Sequence, residues 1–228
     1  MLNIENFIAK YVTKRPESMF QTDLHTHQAA LTKAIEGKSV LVIGGAGSIG
    51  SSYIKALLPF KPKTLVVVDI SENGLTELTR ELRSTSAFTV PTDYVTYPMN
   101  YADDTFVKMF KARGGFDIVA NFSAHKHVRS EKDKYSVEAL LKNNVVNAKK
   151  FLDLLCDYPP EHFFCVSTDK AANPVNIMGG SKKIMEDMIM AYAHKFPVTT
   201  ARFANVAFSN GSLPAGFLER VAKNQPLS

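Results

Sequence analysis

Asp169 and Lys170 stand side by side just after an apolar run that ends at Ser167. A carboxyl and an ammonium so close together can divide acid and base work on one substrate. Lys182 lies near the start of the following helical stretch and adds a second cation. It can orient a ligand hydroxyl and favour the charged form of a neighbouring acid. Ordinary solvated residues are the plain alternative for both lysines.

A second set of residues could hold phosphate. Gly44-Gly45-Ala46-Gly47-Ser48-Ile49-Gly50 follows one apolar run and opens a helical pattern. Gly44 permits a tight turn, Gly47 a close backbone approach, and Gly50 close helix packing. The helix start at Ser48 and Ile49 then presents backbone N–H groups to a pyrophosphate. Asp69 closes the next apolar run, at the spacing of an acid that holds an adenosine ribose. Its charge repels a 2′-phosphate, which argues for NAD over NADP. Helix capping by Asp69 or Ser71 is the structural alternative, and it excludes no ribose contact. Asn100 either meets an adenine edge or forms a turn.

These residues need a frame. Short apolar runs at 39–43, 64–68, 116–120, 162–166 and 198–203 read as strands, with a weaker one at 95–97. Helical patterns fit between them at 49–58, 74–82, 103–110, 137–155 and 181–194. Strands alternating with helices imply an α/β fold, a Rossmann-like doubly wound parallel sheet with helices on both faces. Ligands then meet the carboxyl ends of the strands. Three polar clusters fall there: residues 121–127, 167–170 and 205–212. The division expected is a helical arm, 1–37, and a nucleotide-binding body, 38–228. In the arm, Ile4, Phe7, Ile8 and Tyr11 form one apolar stripe, and Leu31, Ala34 and Ile35 a second short helix ended by Gly37. The arm can pack on its own core or on a neighbouring subunit, and a homo-oligomer is expected.

Composition bounds the function. The 228 residues are 45% hydrophobic and 21% charged, which is globular and excludes disordered, collagenous and disulfide-rich classes. Cys156 and Cys165 lie in apolar surroundings and read as free thiols, pointing to a reducing, cytoplasmic setting. His25 and His27 share no helix face and no cysteine completes a set, so no metal is expected. No apolar run reaches membrane-span length, and the first residues carry no signal-peptide core. The net charge of +5 suits an anionic ligand, and no nucleic-acid partner is inferred from it.

Together the motifs carry a resemblance. GGAGSIGS at Gly44 to Ser51, DISENGL at Asp69 to Leu75, AHKHV at Ala124 to Val128, STDKAANPVNIMGGSK at Ser167 to Lys182 and RFANVAFSNGSL at Arg202 to Leu213 resemble the extended short-chain dehydrogenase/reductases. More narrowly, they resemble the polysaccharide-biosynthesis nucleotide-sugar 4,6-dehydratases. The resemblance implies bound NAD and UDP-N-acetylglucosamine or a related UDP-HexNAc. Hydride leaves sugar C4, the C5 proton is removed, water is lost across C5 and C6, and hydride returns to C6. It implies Asp169 as the acid at the C6 hydroxyl and Lys170 as the C5 base. Thr168 would sit at the C4 oxygen and Lys182 on the nicotinamide ribose, with Asn144 as a structural asparagine. Cofactor contacts would be Gly44, Gly47, Ser48, Ile49, Gly50, Asp69, Ile70, Ser71, Asn100, Ser123, Lys126, Asn144 and Lys182. Substrate contacts would be Lys126, Thr168, Asp169, Lys170 and Asn205.

Four departures mark this chain. Met178 stands where most of the superfamily has tyrosine, and a thioether cannot titrate. The C4 proton acceptor is then Thr168, Asp169 or an ordered water. Asn121-Phe122-Ser123, Asn147 and Asn100 also differ from the common pattern. The alternatives are a nucleotide-sugar 4-epimerase and a non-catalytic NAD-binding module. The chain is further expected to lack part of the C-terminal substrate-binding region.

Overall fold

The structure, a computed structural model, describes residues 4–125, 131–209 and 211–227. Six strands form one parallel sheet: β1 (Ser39–Ile43), β2 (Thr64–Asp69), β3 (Asp93–Pro98), β4 (Ile118–Asn121), β5 (His162–Thr168) and β6 (Val198–Phe203), in the order β3-β2-β1-β4-β5-β6. The helices are α1 (Ile4–Phe7), α2 (Gln21–Thr26), α3 (Gln28–Ile35), α4 (Ser48–Leu57), α5 (Glu72–Ser84), α6 (Asp104–Ala112), α7 (Lys134–Leu141), α8 (Ala148–Asp157), α9 (Ile177–Ala191) and α10 (Leu213–Ala222).

The apolar runs of β1 and β2 are buried on both faces, and alternate residues serve different cores. Leu41, Ile43, Val66 and Val68 pack with Phe106, Phe110, Phe151 and Phe163. Val40, Val42, Leu65 and Val67 pack with Ile54, Leu57, Leu75 and Leu78. Helices α4 and α5 therefore cover one face, and α6, α8 and α9 the other. β5 alternates instead, with Phe163, Cys165 and Ser167 buried, and β6 contributes no buried residue. The chain leaves β1 towards β2 on one side and later returns to β4 on the other. A crevice opens where those two strands diverge, and the glycine loop lies there.

The sequence boundaries hold to within a few residues except in two places, and α10 follows β6 where no helix was expected. The expected helix over 137–155 is interrupted by a π-helical turn, Lys142–Asn147, between α7 and α8. In the arm, a short α1 passes into a π turn, Ile8–Thr13, and α2 appears where only Leu24 broke a polar stretch. Neither α2, α3 nor that π turn buries a residue, and Met19 and Phe20 are 67% and 68% exposed. Gly37 ends α3 in the left-handed region, with φ 74°. Among the described residues no helix is long and apolar enough to cross a membrane.

Candidate functional site

The glycine loop is shaped by contacts that exclude side chains. Gly44 has φ +75°, and a Cβ there would lie 2.7 Å from the Ser123 nitrogen. A Cβ on Gly50 would lie 2.3 Å from the Gly44 carbonyl oxygen. Gly50 thus brings α4 down onto the turn, while Gly47, at the head of α4, meets only an ordinary contact at 3.4 Å. The result is a backbone cradle at a helix N-terminus, the geometry that suits a pyrophosphate.

Asp69 braces this cradle. Its carboxylate accepts from the Ala46 N–H at 3.0 Å and from the Ser71 N–H at 2.9 Å. Ser71 caps α5, accepting from the Gly74 N–H. Ile70 between them is 77% exposed. Asn100 forms a turn, its side-chain oxygen accepting from the Ala102 N–H at 2.9 Å. Of the two roles open to Asn100 in the sequence, this is the one its oxygen adopts.

At the end of β4, the buried Asn121 accepts from both the backbone N–H and the hydroxyl of Ser123. The next residues lead to His125, whose backbone N–H and carbonyl are both taken by the Asn144 amide at 3.0 Å. Asn144 also donates to Ser181 Oγ on α9 at 3.0 Å, and Ser181 donates to the Met178 carbonyl. The π turn makes this possible by redirecting Asn144 inward, where it is 2% exposed. Tyr101 donates to the Asn143 carbonyl in that turn at 3.0 Å, and burial raises its phenol above the ordinary range. One asparagine therefore ties the β4 loop to α9. Lys126, with His127 and Val128, lies outside the described residues.

On α9, Met178 and Lys182 share the inner face, 2% and 3% exposed. Asn176 caps the helix, and Glu131 accepts from the Met178 N–H at 2.7 Å. Lys182 Nζ donates to the Val166 carbonyl at 2.8 Å, and burial lowers its proton affinity. Across the strand end, Thr168 caps a short 3-10 turn, Asp169–Ala171, and its hydroxyl donates to Asp169 at 2.9 Å. Lys170 Nζ donates to the same carboxylate oxygen at 3.2 Å. The Thr168 hydroxyl first and the Lys170 ammonium next hold the Asp169 carboxyl below the usual carboxylate range. Both charged side chains are partly exposed, at 50% for Asp169 and 39% for Lys170.

A single cleft of about 570 Å³ joins these parts. Its walls are Gly44, residues 47–50, Phe122, Ala124, Ser167, Thr168, Lys170, Met178, Lys182 and the segment 203–207 with 211–214. The three polar clusters thus share one crevice, and Asn205 lines it. Asp169 is bonded to two wall residues, Thr168 and Lys170, Ser123 lies between two more, Phe122 and Ala124, and Asn144 is bonded to Ser181 beside Lys182, while Asp69, Ile70, Ser71 and Asn100 lie at the ends of β2 and β3. Sequence reasoning missed the roles of Tyr101, Ser181 and Glu131, and also the Glu186 and Arg202 pair. These are polar residues whose partners lie far along the chain, so no local spacing marks them. Among the described residues no group of three or more His, Cys, Asp or Glu side chains could hold a metal ion.

A family model described as polysaccharide biosynthesis protein matches residues 40–228. An uncharacterized membrane protein of Methanocaldococcus jannaschii is 36% identical over 196 residues, covering 84% of this chain and 56% of that protein. A UDP-N-acetylglucosamine 4,6-dehydratase (inverting) of Campylobacter jejuni is 28% identical over 195 residues, covering 82% of this chain and 54% of the relative. A UDP-glucose 4-epimerase of Rickettsia typhi is 26% identical over 197 residues, covering 84% and 55%. The X-ray structure of Pen from Bacillus thuringiensis matches with a TM-score of 0.71 at 26% identity, covering 83% of this chain and 57% of that one. The chain spans about half the length of these curated relatives. With the match running from β1 to the last residue, over a parallel sheet of Rossmann order, the chain belongs to the polysaccharide biosynthesis protein family, within the extended short-chain dehydrogenase/reductases.

Proposed function

We propose that this chain carries the nucleotide-binding and catalytic half of an NAD-dependent UDP-HexNAc 4,6-dehydratase, with UDP-N-acetylglucosamine as the favoured substrate. The observation that carries the reading is the continuous cleft from the glycine cradle to Thr168, Lys170 and Lys182, with Met178 where a phenol would serve a simple alcohol dehydrogenase. Residues 1–37 form an arm and 38–228 the body in this reading, supported by the absence of buried residues in α2 and α3.

The cradle fits a dinucleotide. Gly44 and Gly50 keep the backbone close, and the start of α4 offers N–H groups to the pyrophosphate. Asp69 has lone pairs left for ribose hydroxyls beyond its two backbone bonds, and its charge disfavours a 2′-phosphate. Lys182 holds the second ribose from below. Held by the glycine cradle, Asp69 and Lys182, NAD would supply the hydride acceptor for sugar C4 and the hydride donor for C6.

The chain's own residues move the protons. Asp169 starts ionised, so it begins as a base. Thr168, donating to Asp169, can accept the C4 hydroxyl proton and pass its own to the carboxylate. Asp169 then holds the proton that the C6 hydroxyl needs to leave as water. Lys170, donating to the same carboxylate oxygen as Thr168, is the group we assign to take the proton at C5 and to return one there when hydride reaches C6. This order lets Asp169 serve as acid despite its lowered proton affinity.

The test is product analysis of the protein with UDP-N-acetylglucosamine in deuterated water. A 4-keto-6-deoxy product with deuterium at C5 is expected, and Lys170→Ala should lose the exchange while binding NAD normally. A C4 epimer without dehydration would assign the chain to the chemistry of its epimerase relatives instead. Binding of NAD without any turnover would leave a binding module.

A further inference from the structure

Lys182 and Glu186 lie one turn apart on the inner face of α9, 3% and 6% exposed. Opposite charges at that spacing ordinarily pair. Here they do not. Both Glu186 oxygens are taken by the Arg202 guanidinium, with Nε at 3.0 and 3.3 Å and one terminal nitrogen at 2.7 Å. Lys182 Nζ instead turns to the Val166 carbonyl at 2.8 Å, with Met185 Sδ at 3.5 Å. Among the described residues Lys182 makes no ion pair.

Arg202 comes from β6, at the edge of the sheet, and its side chain is 44% exposed. Its ladder partner is Ser167, which stands between Val166 and Thr168. Val166 and Lys182 both line the cleft, whereas neither Arg202 nor Glu186 belongs to its lining. The titratable groups that act on Lys182 are Cys165, from β5, and Glu186, from its own helix. A carboxylate released next to a buried ammonium would capture it, since an unpaired buried charge is the costlier arrangement.

We propose that Arg202 is a positioning residue that sequesters the Glu186 carboxylate, keeping Lys182 Nζ on the Val166 carbonyl with its remaining N–H groups directed to a ligand in the cleft. The proposal rests on the reading above that Lys182 holds a dinucleotide ribose. It goes further by making the availability of that lysine depend on a residue that touches neither cofactor nor substrate. A mere clamp between α9 and β6 would have a different signature, because removing both partners would not restore it.

The test uses the whole chain as wild type, Arg202→Met, Glu186→Gln and the double variant. NAD binding is read by calorimetry. Lys182 titration is read by carbon-13 NMR of lysines labelled at Cε, the signal being assigned with Lys182→Arg. Arg202→Met should weaken NAD binding by about tenfold and raise the pH at which Lys182 titrates. The double variant should return both readings to within about threefold of wild type. A double variant as weak as Arg202→Met would overturn the proposal in favour of a clamp. An unmoved Lys182 signal in Arg202→Met would overturn it outright. If circular dichroism shows Arg202→Met unfolded, Arg202→Lys, which loses the fork, takes its place with the same rescue expected. If the wild type binds no NAD, the cofactor reading fails, and the NMR titrations still decide the fate of Arg202.

Discussion

Gly44 and Ser123 face each other where β1 and β4 part, so closely that a Cβ on Gly44 would lie 2.7 Å from the Ser123 nitrogen. The turn after β1 and the loop after β4 are thus fitted closely to one another. Gly44 also holds φ +75°, which an L side chain adopts only at a cost.

Gly44→Ala should therefore destabilise the fold by more than about 1 kcal/mol, since strain and backbone collision act together. Urea denaturation reads this directly. Binding of NAD should weaken as well, because the cradle must open to admit the methyl group. An unchanged midpoint with unchanged binding would mean that the two loops shift apart freely.

Asn144 offers a second measurement. Truncation to alanine leaves the His125 N–H, the His125 carbonyl and Ser181 Oγ without this partner. A buried polar group left unsatisfied costs about 1–3 kcal/mol, and partial relaxation puts the total for Asn144→Ala at about 2–4 kcal/mol. Asn144→Asp keeps an acceptor for the His125 N–H and loses both donations, so it should fall between wild type and alanine. Chemical denaturation of the three proteins sets the order, and an aspartate variant as stable as wild type would contradict it.

The Glu186 and Arg202 pair gives the stability a pH signature. The Arg202 guanidinium is the largest influence holding the Glu186 carboxyl below its ordinary value of 4.5. A carboxyl with a depressed folded-state value stabilises the protein fully above its unfolded value and loses that contribution as pH falls through the folded one. Wild type should thus lose more stability than Glu186→Gln on acidification below about pH 4.5. Melting temperatures measured from pH 6 downward, in about half-unit steps, compare the two. Parallel curves would show that the pair adds no stability of its own.

Much of the architecture was legible because it rests on local pattern. The runs at 39–43 and 198–203 became β1 and β6 without a shift of boundary. Gly44, Gly47 and Gly50 took the places their spacing implied. The helix over 137–155 was misread as continuous because a π turn needs no special residue in the chain. It is stabilised by Tyr101 and Ser181, which lie 42 and 37 residues from their partners Asn143 and Asn144. The polar α2 was missed for the opposite reason, since it has almost no apolar periodicity to detect.

By itself the sequence determined the parallel sheet, the glycine cradle, the acidic residue that ends β2 and the residue types at Thr168, Asp169, Lys170 and Lys182. Those features depend on residue type and on neighbours within a few positions. Tertiary structure alone decided how the groups are charged and where they point. It placed the Thr168 hydroxyl and the Lys170 ammonium on one oxygen of Asp169, and it paired Glu186 with Arg202 rather than with Lys182. The physical reason is that proton affinity and orientation follow from burial and from hydrogen bonds, and here β5, β6 and α9 supply the partners from across the fold.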